Sequence, residues 1–296
     1  MTDDINRVGL TAKRGLTAAS TVLAELAGWL DARGVQPIFE SDTARLAGLP
    51  AGRPIASRDA LPHECDLIVV LGGDGTLIGV ADLIARAGTD VPILGVNFGS
   101  LGFLTEITLP ELYDALAATL DGSAELEARM MMTAHTVRED AMFAQHVVLN
   151  DVVITKGAMA RIIEIAVTVN QEIVTRVRAD GLIVASPTGS TAYNLAAGGP
   201  IVHPAVDAIV LTPIAPHTLT NRPVMIPASS DVHLAPVMEP DDEVFVTFDG
   251  QSGFPLRPGD RVSVRRSART LRIVKSPQRT YFELLREKLK WGGDNR

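Results

Sequence analysis

The chain has 296 residues, more than one hydrophobic core usually serves, so its length predicts two domains. A formal charge of -8 excludes a protein built mainly to hold a nucleic-acid backbone, which needs dense Lys and Arg, and 46% hydrophobic residues supply a sizeable core. The single cysteine, Cys65, excludes a disulfide framework and a zinc site of several thiolates; it leads into an apolar run and is predicted to be a buried, inert thiol.

The start carries Asp3 and Asp4 with no apolar segment, and nowhere do about 18 apolar residues run together. These features predict no signal peptide, no membrane span and a cytoplasmic location.

From residue 7 to 120, β-branched runs alternate with helical patterns, which predicts an α/β domain with a largely parallel sheet. The strands are expected at Val8 to Leu10, Gln36 to Glu40, Asp66 to Leu71 and Pro92 to Val96. Between the first two, Val22, Leu23, Leu26, Trp29 and Leu30 repeat at helical spacing and Gly34 stops the helix. Thr108 and Glu111 have capping-box spacing ahead of the stripe Leu112, Leu116, Leu120, and Gly122 follows.

From about residue 129 the period changes to two. Strands are expected around Thr133 to Val137, Val147 to Leu149, Val152 to Ile154, Ile162 to Val169, Ile173 to Arg178, Leu182 to Ala185, Val232 to Leu234, Val244 to Phe248 and Arg261 to Val264. Tyr281, Leu284, Leu285 and Leu289 then mark a short amphipathic helix. The predicted domains are 1–128 and a mainly β domain, 129–278.

Three segments carry chemistry. The first is Gly72-Gly73-Asp74-Gly75-Thr76, directly after a buried strand and before a helical stretch. In an open α/β sheet ligands bind outside the carboxyl ends of strands, where Gly72, Gly73 and Gly75 let the backbone approach a ribose or phosphate closely and Asp74 can accept a hydroxyl proton or hold a magnesium-phosphate cluster. A tight turn whose acid caps a helix is the plain alternative. The segment matches neither the P-loop nor the dinucleotide fingerprint, so a P-loop NTPase and an ordinary dehydrogenase both lose ground.

The second is Asn150-Asp151, an amide and a carboxylate between apolar strand halves; it suits ribose hydroxyls, and equally a bulge or hairpin corner. The third runs from Asp180 to Asn194 and into Gly198-Gly199-Pro200. Ser186, Thr188, Ser190 and Thr191 surround Gly189, an arrangement for phosphate oxygens, and Tyr193 and Asn194 could stack on or bond an adenine. Arg176 and Arg178 lie nearby, as anion binding by an acidic chain requires. The six histidines are scattered without ligand spacing, so the metal ligands stay unassigned.

Taken in this order and at these distances, the three motifs closely resemble the bacterial NAD kinase family. The likeness extends through Asn97-Phe98-Gly99-Ser100-Leu101-Gly102-Phe103-Leu104, Pro216-His217-Thr218-Leu219 and Asn221-Arg222-Pro223. The first motif is shared with lipid kinases and phosphofructokinases; the long third one is specific. The resemblance implies a Rossmann-like or phosphofructokinase-like α/β domain, then a β-sandwich, with residues 279–296 packing back on the first domain.

The resemblance also implies magnesium-dependent, or other divalent-metal-dependent, transfer of a phosphoryl group from ATP or polyphosphate to the 2′-hydroxyl of the adenosine ribose of NAD, in a homodimer or homotetramer. Asp74 is then the catalytic base or its support. Gly75, Phe103, Asn150, Asp151, Arg178, Asp180, Thr191, Ala192, Tyr193, Ala215 and Gln251 bind substrate, and Gly72, Gly73, Thr76, Thr188, Gly189 and Ser190 face phosphates. Many members have Asn-Glu where this chain has Asn150-Asp151, one methylene longer. A lipid or diacylglycerol-type kinase and a non-catalytic dinucleotide-binding regulator are the rival readings.

Overall fold

A computed structural model describes residues 5–48, 52–157, 162–218 and 220–291. Leu219 of the motif at 216–219 and residues 292–296 lie outside that set. The chain divides into two compact units, Met1–Ala128 with Leu271–Arg296, and Arg129–Thr270.

In the first unit the strands Ile93–Asn97, Leu67–Gly72, Arg7–Ala12, Gln36–Glu40 and Ile55–Ala56 lie side by side in that order, all parallel. Leu67 to Leu71 is an unbroken apolar run because every residue in it is fully buried, the pattern of a central parallel strand covered on both faces. The helix Ala19–Asp31 buries Ala19, Leu23, Leu26, Ala27 and Leu30, one stripe at helical spacing, against that sheet. Cys65 sits under Gly9, where a Cβ would meet its sulfur at 2.9 Å. Its thiol bonds Leu61 O, and burial pushes its pKa up to about 12, so the thiol is inert.

Glu111 accepts from both the amide and the hydroxyl of Thr108, and Arg279, far along the chain, reaches both of its oxygens at 2.9 Å. Burial works against the charge on Glu111, but Arg279 and Thr108 outweigh it and hold the carboxyl below its usual range. Replacing Arg279 with Ala is expected to lower stability by about 1–3 kcal/mol at neutral pH. Because the folded pKa is depressed, that contribution is present above the unfolded value, about 4.3, and fades as pH falls through the lower folded one. Denaturant melts of both proteins across pH 3–7 check it; equal stabilities at pH 7 would contradict it.

The second unit is a β-sandwich. One antiparallel sheet runs Val224–Pro227, Ala208–Ile214, Gly181–Ala185, Asp151–Lys156, Val244–Phe248, Ser252–Pro255. The other includes Glu172–Ala179, Ile163–Val169, Val232–Val237 and the start of Arg261–Val274. Ile163, Ile165 and Val167 of one sheet and Val152, Ile154 and Leu182 of the other fill a shared core by alternate residues. The pair Asp249 and Gly250, both at positive φ, turns the chain between the last two strands of the first sheet, the geometry that matches strand twist. The strand Ala208–Ile214 was not among the sequence expectations: Pro213 lies within it and argues locally against a central strand, yet it sits opposite Leu182.

Candidate active site

The buried strand Leu67–Gly72 ends where the helix Asp74–Ala87 begins, with Gly73 between them and no side-chain cap. The Thr76 amide bonds Gly73 O, which leaves the Asp74 and Gly75 amides to be satisfied from outside the helix. Gly72 cannot carry a side chain, since a Cβ would lie 2.7 Å from the Thr76 hydroxyl. Thr76 therefore folds directly over the buried Gly72, and Gly75 is the exposed residue of the turn.

Asp74 is not a free carboxylate. Its Oδ1 accepts from the amides of Leu104 and Thr105 and from the Thr105 hydroxyl at 3.0–3.1 Å, and its Oδ2 accepts from the Phe103 amide at 2.8 Å. Gly102 permits this approach, because a Cβ there would fall 2.0 Å from Oδ1. Asn97 ties the same loop from below, donating to Ser100 O and the Thr105 hydroxyl and accepting from the Gly99 amide. Oδ1 is saturated, whereas Oδ2 has one bond and keeps a lone pair for a further donor. Phe103 is half-buried, with the Lys288 ammonium 5.6 Å from its ring centre.

In the second unit, Asn150 and Asp151 are 8% and 5% exposed. Their backbone is clamped from both sides. The Asp249 carboxylate accepts the successive amides of Leu149, Asn150 and Asp151 at 2.7–3.0 Å, and the Asp249 amide donates to Asp151 O. From the other side the Ser186 amide bonds Asn150 O and its hydroxyl bonds Leu149 O, while Gly189 packs so close that a Cβ would lie 2.1 Å from Asn150 O. Thus pinned, the Asn150 side-chain oxygen is buried without a hydrogen-bond partner among the described residues. Burial, and then the Asp249 charge, raise the Asp151 pKa to about 7. Asp151 can therefore carry a proton near neutral pH, unlike an ordinary carboxylate.

The hydroxyl-rich segment divides by where its side chains go. Ser190 is fully buried: its hydroxyl bonds Pro187 O and accepts from the Val202 amide. Asn194 donates to Ser190 O and Pro200 O and accepts from the Thr212 hydroxyl, with Gly199 in its lap. Thr188 and Gly189 are buried in the short turn of helix before Thr191. The part that meets the outside is Thr191, Ala192 and Tyr193, the last 46% exposed.

Arg178, Asp180 and Ala215 are neighbours through the backbone: the Asp180 amide bonds Ile214 O, and the His217 amide bonds Arg178 O. Ala215 is exposed in the left-handed region. Asp180 lies 3.5 Å from the Lys156 ammonium. Arg176 is paired with Glu164 at 3.0 Å, so of the two cations named from the sequence only Arg178 lacks an ion pair among the described residues. Gln251 is exposed in the turn after Asp249.

Asp249 was missed from the sequence. The Asp-Gly pair after Val244 to Phe248 is a hairpin marker, but nothing local tells that its carboxylate serves amides about a hundred residues earlier. Among the described residues, no three or more His, Cys, Asp or Glu side chains are grouped to hold a metal ion.

A family model described as the ATP-NAD kinase N-terminal domain matches residues 8–124, and one described as the ATP-NAD kinase C-terminal domain matches 149–276. The chain belongs to the NAD kinase family. It is 49% identical over 288 residues to an NAD kinase of Geobacter sulfurreducens, covering 97% of this chain and 99% of that one. An NAD kinase of Solibacter usitatus is 44% identical over 97% of this chain and 98% of its own length. Among solved structures, a yeast NADH kinase complexed with NADH superposes with a TM-score of 0.88 at 26% identity, covering 99% of this chain and 90% of that one. An NAD kinase from Archaeoglobus fulgidus shares the fold, with a TM-score of 0.75 at 23% identity over 95% and 99% of the two chains. As an NAD kinase the chain is a transferase, an α/β unit followed by a β-sandwich. No helix among its described residues is long and apolar enough to cross a membrane.

Proposed function

We propose that this NAD kinase transfers the γ-phosphoryl group of ATP to the 2′-hydroxyl of the adenosine ribose of NAD. The observation that carries the acceptor side is the buried, unpartnered oxygen of Asn150 beside Asp151. An acceptor held out of water without a donor costs stability, and a ribose hydroxyl supplies the donor. Asp151, which can accept or donate near neutral pH, suits the neighbouring hydroxyl.

Asp74 takes the proton of the attacking hydroxyl on Oδ2, the oxygen that keeps a lone pair. The reaction asks little covalent work of the protein, so position and charge neutralisation dominate. A divalent ion such as magnesium would travel on the triphosphate oxygens, which fits its habit of few protein ligands and many waters. The glycine turn at 72–75 with Thr76, and Thr188 with Gly189, are assigned to phosphates; the Ser190 hydroxyl acts within the frame instead. Phe103, Arg178, Asp180, Thr191, Ala192, Tyr193, Ala215 and Gln251 are assigned to the dinucleotide. The family model's ATP-NAD kinase description supports ATP as donor, and the yeast relative's complex with NADH makes NADH a substrate to test beside NAD. The family resemblance supports a cytoplasmic homodimer or homotetramer.

Incubating the chain and magnesium with NAD and either ATP or polyphosphate, and reading product with an NADP-specific dehydrogenase, tests donor and position together. ATP is expected to give NADP. Product from polyphosphate alone overturns the donor assignment, and product from neither overturns the reaction.

A further inference from the structure

An acidic chain needs a cation where a triphosphate lands, and the first unit offers one. The strand Arg7–Ala12 runs parallel to Leu67–Gly72, so both end at the same edge of the sheet. Immediately after it the Lys13 amide bonds Leu71 O at 2.9 Å, and the Lys13 Cβ lies 3.3 Å from where a Gly72 Cβ would stand. Lys13 thus begins flush against the glycine turn, packed beside Thr76 over the face where Gly72 carries no side chain.

A cavity of about 380 Å³ opens at this edge, lined by Lys13, Arg14, Gly15, Asp42, Thr43 and Arg45 among others. Its other charges are already paired. Arg14 donates to one Asp42 oxygen at 2.8–3.0 Å, and Arg45 pairs with the other. Glu40, nearby and buried, spends its carboxylate on the amides of Asp42 and Thr43 and on the Thr43 hydroxyl. Lys13 is exposed, and no ion pair or hydrogen bond engages its ammonium among the described residues. The Thr76 hydroxyl, beside Gly72, likewise has no hydrogen bond among them.

We infer that Lys13 binds the phosphates of the donor nucleoside triphosphate, as a point charge reaching along the Gly72 backbone, with the Thr76 hydroxyl on the same side. This rests on the reading of ATP as donor. A flexible ammonium beside a glycine turn provides charge without fixed geometry, which suits a group whose charge is spread over several oxygens. Arg14 and Arg45, clamped by Asp42, serve the cavity's rim rather than the phosphates.

The test compares wild type, Lys13→Met and Lys13→Arg in initial-rate kinetics with each substrate varied, and in displacement of a fluorescent ATP analogue by ATP without NAD. In Lys13→Met the KM for ATP and the ATP dissociation constant are expected to rise roughly 10- to 100-fold, with the KM for NAD within about twofold of wild type. Lys13→Arg should recover most of the loss. Unchanged ATP affinity in Lys13→Met overturns the assignment. So does an equal loss toward ATP and NAD accompanied by a lower melting temperature, which would mark a merely structural residue. Failure of the wild type itself to bind or use ATP overturns the donor reading instead, and the Lys13 assignment with it.

Discussion

Asp74→Asn is expected to lower turnover by roughly 10²- to 10⁴-fold while NAD binding stays measurable, the usual scale for losing a positioned general base. The substitution also disturbs the loop at 99–105. Asp74 meets four donors, three on Oδ1 and one on Oδ2, and an amide has only one oxygen. With that oxygen in the Oδ1 position, its NH₂ faces the Phe103 amide, donor against donor. A cost of about 1–3 kcal/mol follows from the unmade bond. The two effects separate through Thr105→Val, which removes one bond to Oδ1 and the bond that Asn97 donates to the Thr105 hydroxyl, and leaves the carboxylate in place. That variant should share part of the stability loss and keep turnover within about tenfold of wild type. Near-normal turnover in Asp74→Asn would remove Asp74 from the chemistry and leave it as the anchor of the loop.

The second large effect concerns Asp151. Its pKa is about 7 in the folded chain, from burial first and the Asp249 charge second, against about 3.9 unfolded. The folded state therefore binds more protons than the unfolded one between those values, and stability must fall as pH rises from about 4 to about 7. A difference of about three pKa units corresponds to roughly 4 kcal/mol withheld above pH 7. Asp151→Asn has no charge to bury. It is expected to be more stable than wild type at pH 8 by a few kcal/mol, to match it near pH 4, and to use NAD poorly. Denaturant titrations at the two pH values decide the matter: an Asn variant less stable than wild type at pH 8 would show that the carboxyl is favourably placed as an anion. A buried carboxyl that lowers stability breaks a local rule, and such breaks are expected where a residue serves function.

Much of the architecture was legible because local and global preferences agree. Leu67 to Leu71 had to be a covered strand, and Thr108 with Glu111 had to open a helix; the structure adds only that Arg279 locks the same carboxylate. The helix Ser41–Ala47 was not read, since its cap is Glu40, a residue that seldom serves there. At the site, composition could say that hydroxyls cluster between Ser186 and Thr191 but not which way they face. Ser190 turns inward to Pro187 and Val202, Thr191 is half-buried with its hydroxyl on Thr188 O, and Tyr193 turns outward. Asp249 and Lys13 were invisible for a different reason: each matters through a segment more than 50 positions away, and only the fold brings the two together.

The chain's lone sulfhydryl is buried beneath Gly9, within the α/β unit. A thiol-specific chromophore should therefore stay colourless in the native enzyme and develop one equivalent when that unit opens. The protein thus carries its own clock for the breathing of one of its two halves, with no label to install and no competing signal from the other.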